Sequence, residues 1–102
     1  MMDVTQSPRG EVVIRIVGTF DAQAASRLST WLGEVPLDGR LVVDFTEVRD
    51  FNDFGLAAVA GELAAHEALV VRGLTRHQER VLRYFGVDLS HPAGSAGAGS
   101  IG

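Results

Sequence analysis

The chain has 102 residues and a formal net charge of −4, with a sequence pI near 5.2, which is enough for one domain. A hydrophobic share of 46% against 22% charged residues is that of a globular protein, and the acidic balance argues against a nucleic-acid backbone or an anionic membrane as the main partner. No cysteine is present and all nine basic residues are arginines, so disulfides, thiolate metal sites, Schiff-base lysines and phosphate-loop lysines are excluded and the cytoplasm is the expected location.

Met1 to Gly10 is polar and is expected to be a disordered lead-in. Met1-Met2-Asp3 lacks the basic start of a secretion signal. Glu11 to Val17 is rich in β-branched residues and closes on Gly18, which predicts a strand buried on both faces. Ala24, Leu28, Trp31 and Leu32 then recur at helical spacing, with Asp21 as N-cap and Gly33 as the stop. Leu41 to Phe45 predicts the second strand. Leu56, Val59, Ala60 and Leu63 form the stripe of an alanine-rich helix. Ala68 to Arg72 predicts a third strand, closed by Gly73. Thr75 and Gln78 make a capping box for a last helix, with Val81, Leu82 and Phe85 inward and Gly86 as the C-terminal cap.

The apolar runs are interrupted by Arg15, Asp44 and Glu62, so none nears the roughly 18 residues of a membrane span. Residues 92–102 carry four of the 12 glycines and one large apolar side chain, Ile101, and are expected to be a disordered Gly/Ala/Ser tail. The expected organisation is therefore 1–10 lead-in, 11–91 domain and 92–102 tail. The alternation of strand and helix predicts an α/β fold.

Little in this pattern suggests catalysis. His66, His77 and His91 are spaced by 11 and 14 residues, which places no two on adjacent helical turns, so they read as exposed polar-face residues rather than metal ligands. Ser26, Ser29 and Thr30 read as the outer side of the first helix. Gly18 and Gly55 each stand alone between a strand and a helix, too little for a nucleotide fingerprint. Arg76, Arg80 and Arg83 read as a solvated helix side. Val48 to Leu56 differs, because two phenylalanines, Phe51 and Phe54, stand beside Asp50 and Asp53 in what reads as a loop before a helix. Asn52 or Asp53 is the candidate N-cap, and apolar groups ringed by charge suit protein docking.

In order along the chain, these segments resemble the STAS domain family. Gly18-Thr19-Phe20-Asp21 is similar to the end of its first signature strand, and Leu41-Val42-Val43-Asp44-Phe45-Thr46-Glu47-Val48 is similar to its central strand. Asn52-Asp53-Phe54-Gly55-Leu56 falls on its Asp-Ser-Ser/Thr-Gly-Leu motif, and Gly73-Leu74 with Val81 to Val87 also agrees. The resemblance covers about residues 11–88. It implies a small mixed sheet of about four strands with helices packed mainly on one face, C-terminally truncated where the family adds a strand and helix. An edge left unpaired in that way favours self-association.

The resemblance further implies a non-catalytic anti-sigma-factor antagonist or related module of a partner-switching circuit in transcription regulation, without cofactor or metal. Its partner would be a kinase-like anti-sigma factor that phosphorylates the motif serine. The alternative is an accessory subunit of a membrane lipid or solute transporter, bound to its ATPase. The motif serine aligns with Asp53, so the phosphorylation switch is expected to be lost, and −1 charge stands where phosphoserine would carry roughly −1.5 to −2. The expected partner surface is Phe20, Asp21, Asn52, Asp53, Phe54 and Gly55. A small phosphate or nucleotide ligand at the same helix start is disfavoured by Asp50 and Asp53.

Overall fold

The computed structural model describes residues 1–89. The Gly/Ala/Ser tail, the C-terminal truncation and His91 all fall on residues outside the described ones. Seven elements succeed one another in chain order: β1 (Met2–Gln6), β2 (Val12–Phe20), α1 (Ala22–Glu34), β3 (Arg40–Phe51), α2 (Asp53–Ala65), β4 (Ala68–Arg72) and α3 (Arg76–Tyr84). The sheet order is β1-β2-β3-β4, with β1 antiparallel to β2 and the other three strands parallel.

The lead-in is not disordered along its length, because Met2–Gln6 is strand β1, added to the three strands read from the apolar runs. Met2 and Val4 alternate with Asp3 and Thr5, and the inward pair packs on the core. Ser7-Pro8-Arg9-Gly10 turns the chain, the Gly10 amide donating to the Ser7 carbonyl at 2.9 Å. Serine first, proline second and glycine fourth is the preference of a type I turn.

Ile14, Ile16, Leu41, Val43, Phe45 and Leu69 point to one side of the sheet and are buried there. Onto them α1 lays Ala25, Leu28 and Leu32, α2 lays Leu56, Val59, Ala60 and Leu63, and α3 lays Leu82. The helices thus share one face of a mixed four-stranded sheet. The opposite face carries charge, so β2 is buried on one side only, with Arg15 exposed between Ile14 and Ile16.

Other boundaries shift for local reasons. Helix α1 passes through Gly33 and ends at Val35, whose extended backbone suits the proline after it. Trp31, expected inward, is 42% exposed, and Ala25 takes the buried position. Strand β2 passes through Gly18, which adopts φ +92° beside a register shift against β3.

Helix α3 has the expected capping box. It ends in a Schellman motif, in which the Gly86 amide donates to the Arg83 carbonyl at 3.0 Å and the Val87 amide to the Leu82 carbonyl at 3.0 Å. This reversal buries Val87 and leaves Phe85 47% exposed, so Val87 fills the place expected for Phe85.

Candidate functional site

Strand β3 is longer than its apolar run. Asp44 accepts from the Thr46 amide at 2.9 Å and from the Thr46 hydroxyl, a local turn that offsets the register with β2 without ending the pairing. Burial pushes the Asp44 carboxyl up, but the two Thr46 hydrogen bonds and the Arg72 and Arg15 charges outweigh it and hold the group below its ordinary value. Glycine is required at 73, where a Cβ would collide with the Thr46 backbone and φ is +82°.

Pairing resumes as far as Phe20 opposite Phe51. Val48–Phe51 is therefore strand rather than loop. Phe51 is half-buried instead of exposed, with its ring centroid 5.3 Å from Phe20 and 5.1 Å from Phe45.

Asn52 is the N-cap of α2, its side-chain oxygen accepting from the Phe54 amide at 2.8 Å and the Gly55 amide at 3.4 Å. The cap frees the next residue from a structural duty. Asp53 points outward, and its Oδ2 lies 2.7 Å from His77 Nε2 in the first turn of α3. Phe54 is 87% exposed.

Beside Phe54, the helices leave a groove of about 280 Å³ lined by Ala22, Ser26 and Ser29 of α1 and by Gly55, Ala58 and Glu62 of α2, among others. The Ser29 hydroxyl donates to Glu62 Oε2 across it at 2.7 Å. An exposed aromatic ring, a carboxylate and a shallow helix–helix groove can receive a protein surface.

The expected site residues therefore separate into two groups. Asn52, Asp53 and Phe54 stand together at the exposed start of α2. Asp21 is the N-cap of α1, accepting from the Ala24 amide at 2.9 Å, and is also exposed. Phe20 is fully buried in the core and presents no surface to a partner, whereas Gly55, though buried, lies in the lining of the groove. Phe20 is the apolar residue that anchors the end of β2. Gly55 lets the two helix starts approach, since a Cβ there would lie 3.1 Å from the Asp21 carbonyl oxygen.

His77 and Ser29 were expected on solvated helix sides, and neither they nor Glu62 had a part in the expected site. The signal for the groove lies in matching i, i+3, i+4, i+7 sets, Ala22-Ala25-Ser26-Ser29 and Gly55-Ala58-Val59-Glu62, which keep two helices close. His66 is buried rather than exposed, with Nε2 3.2 Å from the Leu32 carbonyl oxygen and Nδ1 without a partner.

No described helix is long and apolar enough to cross a membrane. No curated protein matches the chain. Among solved structures, the anti-sigma factor antagonist SpoIIAA in its unphosphorylated form is similar at a TM-score of 0.62 and 18% identity, covering 82% of this chain and 83% of that one. That likeness is one of fold. The family model described as Mlab, STAS domain matches residues 4–89, which takes in most of the β1–β2 hairpin as well as the motif at the start of α2. The chain belongs to the STAS domain family.

Proposed function

We propose that the domain is a non-catalytic regulatory interaction module that receives a protein partner at the start of α2, with Phe54 as apolar anchor and Asp53 and Asp21 as its charged rim. The observation that supports this reading most is Phe54, 87% exposed beside the α1–α2 groove on a helix turn whose capping is already met by Asn52. The partner in this reading is a kinase-like anti-sigma factor, as befits a fold shared with SpoIIAA.

A switch by serine phosphorylation does not operate at this helix. Asp53 stands at the motif position, and Asp53–Ala65 contains no serine, threonine or tyrosine. A fixed negative charge favours constitutive docking, which suits a second reading, a standing accessory subunit on a transporter ATPase. The experiment is calorimetric titration of the chain against kinase-like anti-sigma factors and transporter ATPases of its source, with Asp53→Ser and Asp53→Ala alongside. One class binds the native chain and Asp53→Ala changes its affinity. Binding by neither class, or indifference to both substitutions, contradicts the assignment. Intact mass after incubation with the partner and ATP shows no phosphate on the native chain, and a phosphate on Asp53 contradicts the lost switch.

A further inference from the structure

The helix-free face of the sheet carries a pattern that the α2 site does not use. Asp3 pairs with Arg15, Arg15 with Asp44, and Asp44 with Arg72. Directly paired residues point to the same side of a sheet, so one transverse row reads minus, plus, minus, plus across β1, β2, β3 and β4. The adjacent row is Thr5, Val13, Val42 and Val70. Val42 is buried although it lies outside the core cluster, and Val13 and Val70 are half-buried.

A row of that order is complementary to its own reverse. A two-fold axis parallel to the strands, lying above the face between β2 and β3, places Asp3 opposite Arg72 of a second copy and Arg15 opposite Asp44, each contact occurring twice. The same rotation sets Val13 over Val42 of the second copy and Thr5 over Val70.

Within one copy the row is only partly satisfied. Arg15 lies 3.5 Å from Asp3 and 3.2 Å from Glu47. Asp3, Arg15 and Arg72 remain exposed. We infer that this face pairs with a second copy of the chain, sheet against sheet, through the Asp3-Arg15-Asp44-Arg72 row and its valine neighbour. Four strands spaced about 4.8 Å apart and a few rungs high make a small interface. The dimer is therefore weak and salt-sensitive, at the low end of the size range for specific contacts. Because the helices lie on the other face, such a dimer presents two copies of the α2 site outward, and it stands or falls independently of what binds there.

The row supplies its own test. Asp3→Arg places arginine opposite Arg72 of the second copy, and Arg72→Asp places aspartate opposite Asp3. Each variant repels itself, whereas a mixed pair restores both contacts. Sedimentation equilibrium of the native full chain at about 50 mM salt shows a concentration-dependent dimer that weakens at about 500 mM, as screening of partly exposed charges requires. Each single variant dimerises about ten-fold or more weakly, and an equimolar mixture recovers the native constant. A native chain that stays monomeric at low salt overturns the inference, as does a mixture no tighter than its components. A monomer in which removal of residues 90–102 alters the NMR signals of Val13, Val42 and Val70 also overturns it, giving the face to the chain's own C-terminal segment.

Discussion

Two strand-to-helix junctions lie side by side in this domain and solve one problem in different ways. At the first, Phe20 ends β2, Asp21 caps α1, and the helix opens with Ala22. At the second, Phe51 ends β3, Asn52 caps α2, and the helix opens with Asp53 and Phe54. Phe20 and Phe51 face each other across the two strands with Phe45 against both, so each junction is anchored by a ring on the core side and an Asx cap on the solvent side. The two differ in the residues immediately after the cap. The first helix starts with Ala22-Gln23-Ala24, without an acidic or aromatic side chain. The second adds a carboxylate and a bare aromatic ring that neither the cap nor the core requires. A large apolar group held in water without a structural return is the mark of a surface kept for something else.

Substitutions at the two junctions separate by the size of their effects. Phe20→Ala empties a fully buried site among Phe45, Phe51 and the α2 start, and costs about 3 to 5 kcal/mol in denaturant unfolding. Phe54→Ala, on the exposed first turn of α2, changes stability by no more than about 0.5 kcal/mol. Equal losses at the two phenylalanines would erase the distinction between anchor and docking residue.

Gly55→Ala comes next. Its new methyl group meets the Asp21 carbonyl oxygen at 3.1 Å, so the two junctions give by a few tenths of an ångström, a strain of about 1 to 3 kcal/mol that the roughly 1 kcal/mol preference of a helix for alanine over glycine only partly offsets. The same change weakens partner binding by widening the groove. The caps rank below it, Asn52→Ala and Asp21→Ala each costing about 1 kcal/mol by the same unfolding measurement.

The smallest effect concerns Asp44, whose turn with Thr46 lets β3 continue to Phe51. Its carboxyl is held below the ordinary value of 3.8. Its contribution to stability is therefore fully present above that pH and is lost as pH falls through the lower folded value. Thermal midpoints of the native chain and Asp44→Asn differ at neutral pH and converge in that acid window. A difference that grows on acidification would reverse the sign and contradict the role given to Thr46.

The two junctions also show why the sequence was legible in places and opaque in others. The alternation of strand and helix, the stripe of α2, the Asp21 cap and the Thr75–Gln78 box are local patterns, and they appear where the periodicity puts them. Phe51 was opaque because its burial depends on β3 resuming its pairing with β2 after a bulge, which is a tertiary fact. Phe20 belongs to the family's motif, yet membership of a motif does not distinguish a contact residue from one that supports it. His77 and Asp53 are 24 residues apart, and only the packing of α3 beside α2 brings them together. The β1 hairpin was within reach, since Ser7-Pro8-Arg9-Gly10 is a turn sequence and Met2 and Val4 alternate with polar residues. Its short polar strand lacks the continuous apolar run that marks β2 and β3.

In this reading Phe54 serves binding and not folding. The direct measurement is the affinity of native chain and Phe54→Ala for whichever protein binds in the titration against kinase-like anti-sigma factors and transporter ATPases, with unfolding free energies taken on the same samples. Stability is expected to stay unchanged within about 0.5 kcal/mol, and affinity to fall by about ten-fold or more, as for a central apolar anchor. Native affinity in a variant of native stability would contradict the role assigned to Phe54.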